Sequence, residues 1–287
     1  MKAAAWALEG LRFFAGRGWR ASCTSSLLRG ILKLFAPRGK TVLSNLALVY
    51  PESTEKWRVQ MRRRVYDSLG WTVTETLALQ RDPAQALDWI DEVDDPRHVE
   101  EFLAKGKGVL LLSGHYGNWE LLAAWYAQYF GKKGLRNFQV VAQKIKDEDV
   151  DRVVTRCRRN AGVNILPKHT PTLDIVKLLK GGAHVGVMPD VSWVGGLVLP
   201  FMGQPCANTI GPAVLSMLGS VPVVPVTIYR AAPFRHKVVI LPPLQAPEGT
   251  DRRVKIELLT REINSTLEKM IAPRPEQWFW LHNRWKK

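Results

Sequence analysis

The sequence predicts an α/β protein, a mixed and mostly parallel central sheet flanked by helices, preceded by a basic amphipathic helical segment. Three observations carry this. From about residue 107 onward, apolar runs of strand length alternate with stretches of helical length, the pattern of a sheet covered on both faces. Residues 41–80 are helical in texture throughout. The first 40 residues mix eight basic side chains with leucines and aromatics and hold a single acid, Glu9. The expected organisation is a membrane-interface segment over 1–40 and a main domain over 41–287, with a helical lead-in to 106 and the α/β core from 107. At 287 residues, with 46% hydrophobic and 23% charged side chains, the chain has ample material for one large core.

Each element follows in order. Trp6, Phe13, Phe14, Trp19, Leu27, Ile31 and Phe35 lie among Arg12, Arg17, Arg20, Arg29 and Lys33 at near-helical spacing, as in helices that rest in a membrane interface. Glu9 interrupts the apolar stretch and no small-residue cleavage site follows, so no secretory signal is expected. No run approaches the roughly 18 apolar residues of a spanning helix. The expected location is therefore the cytoplasmic face of the inner membrane, peripheral or monotopic. "TVLSNLALVYPE" (41–52) reads as a helix stopped by Pro51, and the next helix opens with Ser53 or Thr54 as its cap. "GVLLLSGH" (108–115) is a buried strand, 119–130 a helix, "FQVVAQ" (138–143) a strand, and 148–160 a basic helix. "GVNIL" (162–166) is a strand, and "TLDIVKLLKGG" a helix ending at Gly181 and Gly182. "AHVGVMPD" (183–190) is a strand, 209–219 a helix, "VPVVPVTIYR" and "KVVILPP" strands, and 251–271 a helix.

The formal net charge of +15 points to a polyanionic partner: nucleic acid, anionic lipid or an acidic protein. No helix-turn-helix, zinc-finger or ribonucleoprotein pattern is present. The basic residues stand beside leucines and aromatics at the N-terminus, which suits an anionic membrane surface better than nucleic acid. Cys23, Cys157 and Cys206 are far apart and form no CxxC pair, so neither a disulfide framework nor structural zinc is indicated. No phosphate-binding glycine motif and no metal-ligand spacing occurs. No cofactor and no metal are expected.

The chemistry concentrates in "SGHYGNWE" (113–120). On an unbroken helix, positions five apart do not share a face. His115 and Glu120 converge only if the backbone bends, which Gly114 and Gly117 permit. Asn118 is then a natural N-cap and Glu120 falls in the first helical turn, where the helix favours its negative charge. His115 sits at the carboxyl end of a strand, where open α/β sheets bind ligands. An ionised carboxylate beside an imidazole makes a general-base dyad, with Glu120 orienting His115. No serine or cysteine stands in a nucleophile elbow, so the attacking group is the substrate's own hydroxyl.

"GHYGNWE" resembles the H-x4-E signature of the bacterial lipid A late acyltransferases, the lauroyl/myristoyl transferase family, within a superfamily that also carries H-x4-D. "NLALVYPE" (45–52), "MPDVSWVGGLVLPFMGQPCANTIGPAVLSMLGSVPVVPV" (188–226) and "PEQWFWLHNRWK" (275–286) are similar to further family segments in family order. Asp190-Val191 stands where the family commonly has Asp-Gln, and "PFMG" where it has "PFFG". The resemblance implies acyl transfer from acyl carrier protein, with coenzyme A the alternative donor, to a hydroxyl of a glycolipid such as a lipid A precursor. Other glycolipids or aminolipids remain alternative acceptors. It implies His115 as base and Glu120 as its orienting partner. The oxyanion would meet the loop backbone after Gly117, with Asn118 beside it, or an arginine. Arg158 or Arg159 matches the family's arginine upstream of a glycine, and Asp190 its site aspartate. Trp278, Trp280 and Trp285 are expected to pack the site's floor, with His282 and Arg284 mainly structural. His184, within a strand, reads as a core histidine, and His98, His169 and His236 carry no signal.

Overall fold

The computed structural model describes residues 19–285, apart from 146, 245–247, 249 and 250. Residues 1–18 of the expected interface segment therefore lie outside the described residues. Three helices come first: α1 (Trp19–Phe35), α2 (Gly39–Val49) and α3 (Glu55–Arg81). Of the two cap candidates, Thr54 takes the role, accepting from the Trp57 N–H at 3.2 Å. α1 lies on α3, where Arg29 and Lys33 pair with Asp67 at 3.6 and 2.6 Å. Arg29 also crosses α3 so closely at Gly70 that any side chain there would overlap it. Two of the basic residues expected to face lipid are thus spent on α3. Leu27, Ile31, Leu34 and Phe35, spaced as one helical stripe, remain exposed.

The chain continues through α4 (Gln85–Asp88), β1 (Ile90–Asp94), α5 (Arg97–Ala104), β2 (Val109–Leu112), α6 (Trp119–Lys132), β3 (Phe138–Ala142), α7 (Glu148–Asn160), β4 (Asn164–Pro167), α8 (Thr172–Lys180) and β5 (His184–Val187). A hairpin of β6 (Leu197–Phe201) and β7 (Gln204–Asn208) follows, then α9 (Gly211–Gly219), β8 (Val223–Ala232), β9 (Arg235–Ile240) and α10 (Arg252–Ile271). Seven strands form one sheet in the order β1-β9-β8-β2-β5-β3-β4, parallel except for the antiparallel pair β8–β9. This is the mixed, mostly parallel sheet read from the sequence.

Two elements differ from that reading. β1 falls within the helical lead-in expected up to 106; "IDEVD" pairs with β9 alone, at the sheet's edge, so it needs no buried run to signal it. Residues 197–208, not read as strands, form β6–β7. Pro200 and Pro205 face each other there and weaken the strand signal. Met202 and Gly203, both at positive φ, make its two-residue turn.

All four residues of β2 are buried, because both faces of the sheet are covered. Leu110 and Leu112 pack with residues of α8, α9, α10 and the C-terminal tryptophans, while Val109 and Leu111 pack with Leu121, Trp125 and Phe130 of α6. His184 is the expected core histidine, fully buried with its Nδ1 2.7 Å from the Tyr126 hydroxyl. β2 and β5 are parallel neighbours, with Leu112 opposite Val187, so the loops leaving them at 113–118 and 188–192 emerge side by side. Any ligand site of such a sheet belongs at this edge.

Candidate active site

The Ser113 N–H continues the strand pairing to the Val187 carbonyl at 3.0 Å, and the chain then turns. Gly114 is needed here for closeness rather than φ: a Cβ would sit 3.1 Å from Asp190 Oδ2. Beyond it the His115 backbone N–H donates to Asp190 Oδ2 at 2.7 Å, and the His115 Nδ1 lies 2.8 Å from Oδ1. The Trp278 indole donates to Oδ2 at 2.9 Å. Asp190 is 1% exposed, and burial alone would raise its pKa. The His115 charge and the three donors outweigh that and hold the carboxyl down at about 2. An ionised Asp190 requires the proton on Nδ1, so Nε2 carries the free lone pair. For His115 the largest influence is again burial, which disfavours its charge. Asp190 and, from farther off, Glu120 overcome it, against Arg158, and raise the imidazole above its ordinary value.

The orienting partner of His115 is thus Asp190, not Glu120 as the H-x4-E spacing suggested. Glu120 is gripped as a fork by Arg158, Nε to Oε2 at 2.9 Å and Nη2 to Oε1 at 2.5 Å. The planar guanidinium matches both carboxylate oxygens at once. The imidazole Nδ1, already bonded to Asp190, leaves Glu120 to act on His115 through its charge. Between the two candidate arginines the structure brings Arg158 to the site, whereas Arg159, one residue on along α7, is exposed.

Gly117 and Asn118 also differ from expectation. Gly117 has φ 58°, and a side chain on it would overlap the Ile228 carbonyl of β8. Its N–H donates to the Gln277 carbonyl at 3.0 Å, so it is committed within the protein and not aimed at an oxyanion. Asn118 caps α6 as expected, accepting from Leu121 N–H at 3.0 Å, but it is fully buried and its amide donates to Glu75 at 3.0 Å. Both residues hold the loop instead of facing a substrate.

What holds them is a buried network that sequence reasoning missed. Glu75 of α3, fully buried, receives Arg230 Nε at 2.9 Å and Nη2 at 2.8 Å, the Phe234 N–H at 3.1 Å and the Asn118 amide. His236 Nε2 lies 3.2 Å from its carboxylate. Burial works against ionisation, yet Arg230 and His236 hold the carboxyl far below its usual range. Arg230 also donates to Thr72 at 2.9 Å, and the Thr72 hydroxyl donates to the Gly117 carbonyl at 2.9 Å. The available signal was a carboxylate inside "TVTETLAL", flanked by residues that are buried.

The C-terminal segment closes over the loop. The Phe279 N–H donates to the His115 carbonyl at 2.9 Å, and Trp278 packs edge-on to Trp280 at 4.8 Å between ring centres. Trp278 does more than pack, since it bonds Asp190. Arg284 is fully buried and donates to the carbonyls of Val191 and Ala207, each at 2.9 Å, and to Asn208. It fixes the backbone just after Asp190. His282, expected to be structural, stands beside His115 with ring centres 5.3 Å apart. Burial, and then the neighbouring His115 charge, hold it down at about 4.

An apolar cavity adjoins this constellation. Leu111, Leu122, Tyr126, Phe138, Val140 and Val226 line its walls, and Ser113, Trp119, Glu120 and Arg158 also border it. Trp119 meets the His115 ring edge-on at 5.4 Å. The arrangement offers an imidazole, two carboxylates, a guanidinium and an apolar cavity beside them.

The sequence profile of bacterial lipid A biosynthesis acyltransferases matches residues 4–287. The chain is 26% identical over 260 residues to the lipid A biosynthesis lauroyltransferase of Escherichia coli (strain K12), covering 89% of this chain and 81% of that protein. It is 25% identical over 249 residues to the lipid A biosynthesis palmitoleoyltransferase of the same strain, covering 84% and 76%. It is 24% identical over 196 residues to a phosphatidylinositol mannoside acyltransferase of Mycobacterium tuberculosis (strain CDC 1551 / Oshkosh), covering 66% and 58%.

Proposed function

The chain belongs to the bacterial lipid A biosynthesis acyltransferase family and is an acyltransferase for a lipid A-like or other glycolipid acceptor, and from this premise we propose that it moves a fatty acyl chain from acyl carrier protein to an acceptor hydroxyl through His115. The observation that carries the reading is the His115–Asp190 pair, with Nδ1 held at 2.8 Å and Nε2 left as the base, beside an apolar cavity.

His115 Nε2 takes the proton of the acceptor hydroxyl as its oxygen attacks the thioester carbonyl. Asp190 stabilises the imidazolium that forms. The tetrahedral oxyanion meets the Arg158 guanidinium and the first-turn N–H groups of α6 at Trp119 and Glu120, which lack intrahelical acceptors. Glu120 holds Arg158 in place and adds negative charge beside His115. Collapse of the intermediate expels the thiolate, which recovers the proton from Nε2. The cavity lined by Leu122, Tyr126 and Phe138 takes the acyl chain.

The donor reading rests on charge. Acyl carrier protein is acidic, and Lys132, Arg136, Arg152 and Arg159 form exposed basic ground around α6 and α7. Arg158, inside the site, is not part of it. The membrane reading rests on the exposed stripe of α1 and on the basic N-terminus; no described helix is long and apolar enough to cross a membrane. The proposed location is the cytoplasmic face of the inner membrane.

The test is direct. Purified protein, acyl carrier protein thioester and a lipid A precursor in detergent micelles should give a product heavier by one acyl chain in mass spectrometry. His115→Ala should lose roughly 10²–10⁴-fold in rate. No product with either a carrier or a coenzyme A thioester would overturn the reading.

A further inference from the structure

Val194 and Val198 stand 98% and 66% exposed, and Trp193, next to Val194, is 37% exposed. Trp193 and Val194 occupy the loop between β5 and β6, three and four residues past Asp190, and Val198 lies on the hairpin that follows. Nothing in the acyl-transfer chemistry uses them. Apolar side chains scattered singly over a surface need no explanation, but Trp193, Val194 and Val198 belong to one loop and the hairpin that follows it, just past Asp190.

The second apolar surface is the α1 stripe, ending in Leu34 and Phe35 at 80% and 76% exposure. The C-terminal segment ties the two together. Arg38, three residues past Phe35, donates to the Leu281 carbonyl at 3.1 Å, and Arg284 donates to Val191, two residues before Trp193, at 2.9 Å. Between these two anchors lies His282, with its ring 5.3 Å from His115. The two apolar tips are therefore fastened to opposite ends of the short segment that passes the catalytic base.

Charge selects the occupant. The Lys168 ammonium sits over the Trp193 ring at 4.6 Å, and the Lys168 N–H is anchored to the Ala142 carbonyl at the end of β3. An aromatic ring with a cation against it, next to a bare valine, suits the headgroup boundary of an anionic bilayer. A protein partner's core contact would instead be depleted of such a charge.

We propose that the β5–β6 loop and the β6–β7 hairpin form a second membrane foot, with Trp193, Val194 and Val198 entering the headgroup layer of an anionic bilayer while Lys168 meets its phosphates. Together with the exposed stripe of α1, this foot holds the mouth at His115 against the bilayer, and a lipid-anchored acceptor reaches it without leaving the membrane. The inference deepens the proposed reaction and rests on it for the acceptor alone.

Flotation with vesicles of phosphatidylcholine and phosphatidylglycerol tests it. Val194→Asp combined with Val198→Asp should lower the co-floating fraction at least several-fold, while transfer to a micellar acceptor stays at the wild-type rate, which also reports that the variant is folded. Quenching of tryptophan emission by brominated lipid is the second readout, and Trp193→Phe should remove part of it. Unchanged flotation together with unchanged quenching overturns the foot. So does a concentration-dependent dimer in sedimentation that the double variant abolishes, since a second copy would then be the occupant. Failure of the wild type to acylate micellar acceptor with any thioester is a different result: it overturns the acyl-transfer reading and leaves the vesicle measurements standing.

Discussion

Asp190 and Glu120 are two carboxylates near one imidazole, and their partners separate their roles. Asp190 raises the His115 pKa and fixes its tautomer, so Asp190→Asn should cost roughly 10²–10⁴-fold in kcat/KM. The sign of the pH effect follows. Asp190 opposes the burial that disfavours the imidazolium. Without it, the pH at which kcat/KM reaches half its plateau should move down, even as the plateau falls; an unmoved inflection would place the base elsewhere. Glu120 and Arg158 are bonded to each other, so Glu120→Gln and Arg158→Lys should not be additive. A double variant that loses much more than the worse single variant would show that the two act separately.

Helix α6 opens the site because its cap is clamped from behind by α3 and β8. Glu75 and Arg230 form a buried pair that reaches Asn118 and, through Thr72, the Gly117 carbonyl. Removing one member leaves the other charge buried and unpaired, at a cost of about 3–5 kcal/mol. Glu75→Ala should therefore lower the urea midpoint of unfolding strongly. Glu75→Leu with Arg230→Met should recover most of that loss, because two apolar side chains leave no stranded charge. If the double variant is no more stable than Glu75→Ala, the pair is not the source of the cost. The hairpin β6–β7 is placed in the same manner, by Arg284 and Asn208 rather than by its own strand propensity.

Across the whole molecule, the buried charges set a pH window of stability. Depressed carboxyls contribute stability that is present above their unfolded values and lost as pH falls through the folded ones. For Asp190 and Glu75 that loss runs from about pH 4.5 downward past 2. His184, held neutral by burial at about 4, adds a loss between its ordinary 6.5 and 4. His115 works in the opposite sense: its contribution is complete below 6.5 and fades as pH rises through its raised value. The thermal midpoint should thus decline below about pH 6.5 and steepen below about 4.5, measured by calorimetry across buffers. A midpoint flat down to pH 3 would contradict the burial of these groups. The formal charge of +15 acts at longer range. Raising salt from low to physiological strength should slow turnover with limiting acyl carrier protein donor, and affect a coenzyme A thioester far less. Equal sensitivity of both donors would argue against docking through basic ground.

The sequence by itself determined the alternation of strands and helices, the mostly parallel sheet, the family, the turn at Gly117 and the Asn118 cap. These depend on periodicity and on local backbone preference, which neighbouring residues carry. It did not reveal β1 or the hairpin, since an edge strand and a proline-bearing pair lack the apolar run that marks a buried strand. It also assigned the wrong partner to His115. Glu120 is near in sequence and Asp190 is 75 residues away. The parallel pairing of β2 with β5 brings Asp190 to the imidazole, and the approach of α7 takes Glu120 for Arg158. Partner choice among several carboxylates and cations depends on which strand ends and helix ends become neighbours, and that is a property of the packed sheet. The same holds for Glu75, His236 and Arg230, whose meeting spans α3, β8 and β9, and which local pattern alone had no means to join.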